Sequence, residues 1–330
     1  MSHYLVIRLS ALGDVAMLCA VLREAANAFP DNRYTLLTRP KMQALLQDMP
    51  DNVSFLVYGE KMNWQAFDRV IDAHSVWRSW RMDLQAFCHL KPVRFLHKGR
   101  LQKWRFLHTH RRDTRPANVS ITPMIDRYRQ LFNLLPATNL PATSIGNSSE
   151  AHRKLIGSSS NSKAIVTRIG IAPFAAHKGK IYPLDKMEQV VKALSEQGFE
   201  IMLFGAGKQE QDILERWEKQ YPHVHSLAGR QTLADDLQVM RSLGLMLTMD
   251  SGNMHLASLV GTRVISLWGA THPAMGFLGY GQSETDCLQC NLTCRPCSAY
   301  GNKPCRYGDY RCWNITPEEV VNYVKKAICE

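Results

Sequence analysis

Short apolar segments alternate with amphipathic ones along the whole chain. Residues 4–9 and 69–73 are too short and too apolar for surface helices and indicate buried strands. Residues 15–29, by contrast, space their apolar side chains as a helix does. A stretch rich in Pro, Thr and Ser at 136–149 interrupts this alternation, which starts again at residue 168. The pattern predicts two α/β domains, 1–160 and 161–330, each with a parallel sheet covered by helices.

A polar turn in the second half is suited to bind an anion. The apolar run 243–248 predicts a strand, residues 256–260 predict a helix, and Asp250, Ser251 and Gly252 lie between them. The first turn of a helix has free backbone N–H groups and a positive dipole end, which favour a phosphate. Asp and Ser are equally common helix caps, and this alternative would explain both residues without a ligand.

Two further loops are expected beside this turn. Lys180 lies in the loop 174–183, and Gly205–Gly207 follows the predicted strand 199–204. The carboxyl ends of parallel strands meet at one edge of a sheet, which is where such sheets bind ligands. A lysine and close-approaching glycines at that edge predict a nucleotide diphosphate site. No Asp-x-Asp pair follows a strand there, so we expect no obligatory metal.

In the first half, Gly13 and Asp14 follow the first predicted strand. Gly13 lets the backbone turn, and a carboxylate at the carboxyl end of a strand can accept a proton from a substrate. A plain helix cap is the alternative for Asp14.

Charge indicates an anionic partner. The net charge is +11 and the pI about 9.3, and the stretch 97–115 contains seven Lys and Arg residues against one acid, with Trp104 and Phe106 interleaved. A solvated basic surface, an anionic acceptor, the inner membrane leaflet and nucleic acid are all consistent with it. No nucleic-acid-binding motif accompanies the charge, so nucleic acid is not expected. No signal peptide or membrane span is evident, and a cytoplasmic protein, with peripheral contact to the inner membrane, is expected.

Four motifs in order along the chain resemble those of glycosyltransferase family 9, the ADP-heptose:lipopolysaccharide heptosyltransferases. They are Arg-Leu-Ser-Ala-Leu-Gly-Asp at 8–14, Lys-Ile-Tyr-Pro at 180–183, Asp-Ser-Gly-Asn-Met-His-Leu-Ala at 250–257 and Trp-Gly-Ala-Thr at 268–271. The resemblance implies a GT-B fold, with two Rossmann-like domains facing each other across a cleft. The first would bind the acceptor and the second the sugar nucleotide.

The resemblance also implies an inverting, metal-independent transfer without a cofactor, from an ADP-linked sugar to an anionic glycolipid such as a lipopolysaccharide core. Asp14 corresponds to the base, with Ser10 and Gly13 on the acceptor side, and Lys180 to the cation that neutralises the diphosphate.

The resemblance further implies that Asp250 holds the sugar hydroxyls and that Glu210 binds the ribose. Ser251 and Gly252 would donate to the phosphates, and His255 would contact a phosphate or simply pack. Gly205 and Met254 are donor-side candidates because they lie in the loops expected at the same sheet edge.

Two departures and one alternative accompany this interpretation. Tyr182 replaces the family's usual Trp, and Ala175–Ala176 replace residues that often carry hydroxyl groups. A nucleotide-sugar-binding protein that has the fold but no activity is the alternative function. The presence of both Asp14 and Lys180 favours the enzyme.

The loop 287–312 contains six of the nine cysteines. Its Cys-x2-Cys pairs resemble a metal knuckle, and Cys294, Cys297, Cys305 and Cys312 are the candidate ligands of a structural zinc. Reduced, packed thiols and a labile disulfide are the alternatives. A terminal helix beginning near Thr316 follows this loop.

Overall fold

The computed structural model describes residues 1–110, 121–135 and 168–329, apart from the side chains of residues 109 and 110. These residues form two compact units. The first contains Met1–Gly99 and the segment around residues 122–135, and the second contains the rest. The domain boundary predicted near residue 160 lies outside the described residues and stays a prediction.

The first unit is built on a parallel sheet. Its strands, in their order across the sheet, are β3 (Val53–Val57), β2 (Arg33–Thr38), β1 (His3–Ile7), β4 (Arg69–Asp72) and β5 (Val93–Phe95). Its α-helices are α1 (Leu12–Ala28), α2 (Trp77–Cys88) and α4 (Met124–Leu131). The helix between α2 and α4 in the chain, α3 (Arg100–His110), belongs to the second unit. Leu5 and Ile7 of the central strand are fully buried, which explains why β1 has an apolar side chain at nearly every position.

The second unit is built on a larger parallel sheet. Its strands, again in their order across the sheet, are β11 (Cys287–Gln289), β10 (Val264–Trp268), β9 (Leu245–Met249), β6 (Arg168–Ala172), β7 (Glu200–Leu203) and β8 (Val224–Ser226). The helices after residue 168 are α5 (Leu184–Glu196), α6 (Lys208–Gln220), α7 (Leu233–Ser242), α8 (Gly252–Leu259) and α9 (Pro317–Cys329). The strands β9, β6 and β7 are neighbours, so the loops that follow them meet at one edge.

Helix α3 carries part of the basic stretch 97–115, of which residues 111–115 lie outside the described residues. Arg100 and Arg105 are exposed, as a solvated surface requires. Lys103 is buried instead, and its Nζ lies 4.1 Å from the centre of the Phe277 ring. The ammonium group therefore makes a cation–π contact within the second unit and is not part of the basic surface.

Candidate functional site

Lys180 and Asp250 lie together at the carboxyl edge of the second sheet. Lys180 ends a short 3-10 turn, Lys178–Lys180, in the loop after β6, and Asp250 directly follows β9. Their side chains form an ion pair with 2.9 Å between Nζ and Oδ2, and both are largely buried. The sequence prediction that these two loops meet at one edge is confirmed by this contact.

Helix α8 begins at Gly252, two residues after Asp250. Ser251 occupies the N-cap position and Gly252 the first helical one, but the Ser251 side chain makes no cap hydrogen bond in the described structure. Its Oγ instead lies 3.2 Å from Oγ1 of Thr248. Neither Asp250, which pairs with Lys180, nor Ser251 therefore acts as the side-chain cap that the alternative interpretation required. The first N–H groups of a helix have no partner within the helix, and α8 begins beside the carboxyl end of β9, which suits it to bind an anion.

Two other predicted donor residues lie further along α8. Met254 is fully buried and His255 nearly so. Both positions are in the part of α8 that packs into the second unit. Burial is consistent with the simple packing role that the sequence leaves open for His255.

Glu210 contacts the glycine loop 205–207, which follows β7. This residue lies in the first turn of α6, and its Oε2 accepts a hydrogen bond from the backbone N–H of Ala206 at 2.7 Å. Burial raises the pKa of Glu210, and the Ala206 N–H acts in the opposite direction. A Cβ on Gly205 would come within 3.2 Å of Glu210 Oε2, so the absence of a side chain at residue 205 permits this close contact.

The Cys-rich loop supports Lys180, a contact that the sequence did not predict. Gly301 has φ = +70°, and a Cβ at this position would lie 2.5 Å from Cγ of Lys180. The backbone N–H of Ala270 donates to Gly179 O, and the N–H of Cys297 donates to Ala270 O, each at 2.8 Å. The lysine loop, the 268–271 turn and the Cys-rich loop are thus joined into one structure.

Arg295, a buried residue of the Cys-rich loop, holds this loop and the 268–271 turn together. Its side chain is almost completely buried, and its guanidinium donates to the carbonyl oxygens of Trp268, Gly269, Thr271 and Cys290. Burial lowers the pKa of Arg295. The planar guanidinium has about five N–H donors and can satisfy four carbonyls at once, whereas the ammonium group of a lysine has only about three donors. Only its position inside the second Cys-x2-Cys pair, Cys294 to Cys297, could have drawn attention to Arg295.

The described structure does not assemble the ligands of the predicted structural zinc, which stays a prediction. Within residues 1–110, 121–135 and 168–329, no three His, Cys, Asp or Glu side chains come together as a metal site. The thiol of Cys297 is directed at Cys294 O, 3.7 Å away, and that of Cys305 at Asp309 Oδ1, 3.8 Å away. Cys312 is buried, and burial raises its pKa to about 12. These cysteines form no disulfide, and Cys294, Cys297 and Cys305 lie near enough to Cys312 to contribute to its raised pKa.

Asp14 lies at the carboxyl edge of the first sheet, in the first turn of α1. Its Oδ2 is 2.5 Å from Nη2 of Arg8 and accepts a hydrogen bond from Ala11 N at 3.3 Å. Asp14 is therefore not the N-cap residue of α1, which is Ala11, but its carboxylate accepts the backbone N–H of that N-cap. The ion pair with buried Arg8 also fixes the carboxylate. Arg8 donates to Ala73 O at 2.6 Å and lies 5.9 Å from the Tyr128 ring, which immobilises it.

Ser10 and His74 extend this edge. Oγ of Ser10 lies 3.4 Å from Nε2 of His74, whose Nδ1 accepts the backbone N–H of Leu9. Burial, together with the charge of Arg8, lowers the pKa of His74 to about 4, so the imidazole is neutral at pH 7. Gly13 is buried in α1, immediately before Asp14. His74 is a residue that the sequence motifs did not include.

A pair of buried carboxyl groups lies behind His74. Asp72, at the end of β4, accepts hydrogen bonds from the N–H groups of His74 and Ser75 and from the hydroxyl of Ser79. Asp83 of α2 is also buried. Burial, together with the charge of Asp72, raises the pKa of Asp83 to about 8. Asp83 is therefore mostly protonated at neutral pH.

Comparison with known proteins identifies the family. The sequence profile described as "Glycosyltransferase family 9 (heptosyltransferase)" matches residues 57–308, well over half of the chain. The chain belongs to glycosyltransferase family 9.

Similar members of family 9 are known from several bacteria. Lipooligosaccharide heptosyltransferase 2 of Campylobacter jejuni is 28% identical over 135 residues, which are 39% of this chain and 42% of that protein. The match therefore spans less than half of that relative's length. The lipopolysaccharide core heptosyltransferase OpsX of Haemophilus influenzae is 20% identical over 285 residues, covering 81% of this chain and 79% of the relative.

The fold is that of the family's solved members. The structure of ADP-heptose lipopolysaccharide heptosyltransferase II of Escherichia coli superimposes with a TM-score of 0.67 at 17% identity, over 99% of this chain and 98% of that one. This likeness confirms the predicted GT-B fold class. Among the described residues, no helix is both long and apolar enough to cross a bilayer.

Tyr182, a departure from the family 9 motif, has a local explanation. Its hydroxyl donates to Ile315 O at 2.8 Å, and its ring makes an edge contact with Trp313, with 5.7 Å between ring centres. The tyrosine is fully buried between the lysine loop and the start of α9. The substitution therefore preserves a packing role.

Proposed function

We propose that this protein transfers a sugar, heptose from ADP-heptose, to a lipopolysaccharide core or related glycolipid. Membership of glycosyltransferase family 9 supports the reaction class. The printed names of the relatives in Haemophilus influenzae and Escherichia coli support the sugar and the type of acceptor. The observation that carries the proposal is the Lys180–Asp250 ion pair beside the first turn of α8.

The second unit would bind the donor. Lys180 would turn its ammonium group from Asp250 to the diphosphate, and the N–H groups at the start of α8 would add donors to the phosphates. The carboxylate of Asp250, released from the lysine, would accept hydrogen bonds from sugar hydroxyls. Gly205 would allow the nucleotide to approach the backbone, with Glu210 near the ribose. The free protein thus holds two binding groups paired and partly desolvated.

The first unit would supply the base. Asp14 would take the proton from the acceptor hydroxyl as its oxygen bonds to the anomeric carbon, while the bond from that carbon to the diphosphate oxygen breaks. A single displacement of this kind inverts the anomeric configuration. Lys180 would balance the charge on the departing diphosphate, so that no metal ion is required. The Asp14 side chain is about one quarter exposed (27%), so a substrate can reach it.

The acceptor would be anionic and held in a membrane by its lipid. The net charge of +11 favours such an acceptor. Because the donor is a soluble nucleotide sugar, we place the reaction on the cytoplasmic face of the inner membrane, with the protein in peripheral contact.

A donor screen tests this proposal. ADP-heptose and other nucleotide sugars, incubated with a heptose-deficient core acceptor, should release nucleotide only with the correct donor, and EDTA should not stop the release. Lys180→Ala should reduce the release by about a hundredfold. Lys178→Ala, a neighbouring lysine outside the ion pair, is the control and should retain activity. Donor binding without release, for every donor tried, would favour the non-catalytic binding protein instead.

A further inference from the structure

Helix α2 has a row of large apolar side chains directed at solvent. Trp77, Trp80, Leu84 and Phe87 are 72%, 61%, 65% and 51% exposed. At 3.6 residues per turn, these four positions fall within an arc of about 80° on one side of the helix. Isolated exposed apolar residues are ordinary, but a continuous row of this kind indicates a surface that something covers. We call these four residues the α2 stripe.

The opposite side of α2 is already packed. Ser79, Asp83 and Ala86 are buried against the first unit, and Ser79 donates to Asp72 at 2.7 Å. The helix therefore cannot turn its stripe inward without breaking these contacts. The apolar surface also continues beyond the helix, because Leu90 is 90% exposed and Phe95, which is 46% exposed, lies 6.4 Å from Phe87 between ring centres.

The charge around the stripe has one sign. Arg78 and Arg81 are exposed on the same helix. Between residues 73 and 99, within the first unit, the chain has five Lys and Arg residues, and its one acidic residue is Asp83. Asp83 faces the interior, and its pKa is raised by burial, so it contributes little negative charge at neutral pH. Exposed arginines beside tryptophans match the interface of an anionic bilayer, where indole rings lie at headgroup level.

We propose that the α2 stripe inserts into the headgroup region of an anionic lipid bilayer, with Arg78 and Arg81 on lipid phosphates. This goes beyond the proposed transfer reaction by naming the surface that meets the membrane. A second copy of the chain is a poorer occupant, because a symmetric contact through this face would bring Arg78 and Arg81 of both copies together. A bilayer offers both an apolar layer and the opposite charge.

Vesicle co-sedimentation of the full chain tests the proposal. The protein should bind vesicles of phosphatidylcholine with about 30% phosphatidylglycerol, bind pure phosphatidylcholine weakly, and be released by salt. The double substitution Trp80→Ser/Leu84→Ser should lower the partition coefficient by about tenfold. Both residues are exposed, so thermal unfolding should stay near that of the wild type. The matched control Tyr58→Ser/Tyr307→Ser, which removes two exposed aromatics elsewhere, should bind normally.

Two double charge reversals distinguish binding through the α2 stripe from binding through the net charge of the whole protein. Arg78→Glu/Arg81→Glu and Lys192→Glu/Lys219→Glu change the net charge equally, but only the first pair should abolish binding. The proposal is overturned if the wild type does not bind the anionic vesicles, if the stripe variant binds as well as the wild type, or if both charge variants lose binding equally. It is also overturned if the stripe variant dissociates an oligomer of the wild type in lipid-free ultracentrifugation.

A transfer assay with a water-soluble, deacylated acceptor keeps the two proposals distinct. Wild type and stripe variant should release nucleotide at equal rates in this assay, because no bilayer is present. If neither protein turns over, the proposed reaction fails while the vesicle result still decides the membrane surface.

Discussion

Among single residues, Gly301 controls the position of the donor-site lysine. The aliphatic stem of Lys180 runs against Gly301, and a Cβ there would lie 2.5 Å and 2.8 Å from its Cγ and Cδ. We expect Gly301→Ala to displace the lysine from Asp250 and to weaken ADP binding about tenfold, measured by titration calorimetry.

Gly308→Ala is the matched control for this prediction. Gly308 has a similar φ of +77°, but a Cβ there would meet nothing within 4 Å. Both variants should lose about 1 kcal/mol of stability through backbone strain, while only Gly301→Ala should lose affinity. Equal affinities for the two variants would mean that Lys180 does not depend on this contact.

Asp83 makes the pH dependence of stability predictable. Its pKa is raised to about 8 in the folded protein, whereas an unfolded aspartate has a pKa of about 3.9. Between these values the folded carboxyl group keeps a proton that the unfolded one releases, so this group destabilises the fold progressively as the pH rises from about 4 to 8. Asp83→Asn keeps a side chain of similar size that stays neutral at every pH, so it removes this loss.

The melting temperature of Asp83→Asn should therefore rise relative to the wild type between pH 5 and pH 8. His74 destabilises the fold in the opposite direction, as the pH falls from its unfolded pKa of about 6.5 to its folded pKa of about 4. Because His74 is present in both proteins, its effect cancels in the difference between them. Asp51→Asn, at an exposed position, is the control and should show no trend. Parallel profiles for Asp83→Asn and the wild type would contradict the assignment.

Among secondary-structure elements, those with a strong local signal were predicted from the sequence. Long apolar runs gave the central strands β1, β4, β6, β7, β9 and β10, because a strand buried on both faces is apolar along its length. The edge strands β8 (Val224–Ser226) and β11 (Cys287–Gln289) were missed, since three residues are too few to show a pattern.

Two helices differ from the sequence prediction. Helix α8 begins at Gly252, four residues before its apolar pattern, because its first turn is polar. Helix α3 was missed because its charged residues hide any period.

Residues of the candidate site could be predicted only where they follow the carboxyl end of a strand in the sequence. Lys180 and Asp250 follow adjacent strands, so topology alone brings them together. His74 follows β4, the neighbour of β1, so the same topological argument could have found it. Gly301, by contrast, reaches Lys180 from more than sixty residues away along the chain. Such a contact depends on tertiary packing and leaves no mark in local sequence.

The Cys-rich loop is expected to act through Arg295. Its guanidinium holds four carbonyl oxygens, three of them in the 268–271 turn. Arg295→Lys should destabilise the protein by about 3 kcal/mol in denaturant unfolding, because an ammonium group leaves some of these buried acceptors unsatisfied. Lys186→Arg, at a position where the ammonium donates to Trp313 O and Ile315 O, is a milder cationic exchange for comparison. A change below about 1 kcal/mol for Arg295→Lys would show that the carbonyls find other donors.

For the whole molecule, the two units divide the proposed chemistry, because Asp14 belongs to one and the Lys180–Asp250 pair to the other. Asp14→Asn should therefore lower kcat by at least about a hundredfold and leave ADP affinity unchanged. Lys180→Ala should weaken ADP binding as well as turnover.

In Asp14→Asn the new side-chain amide oxygen can still accept hydrogen bonds from Arg8 and Ala11. The fold should therefore be retained, which circular dichroism would verify. Substantial turnover by Asp14→Asn would assign the base to another group. A large loss of ADP affinity in Asp14→Asn would instead mean that the first unit takes part in donor binding, which the division between units does not predict.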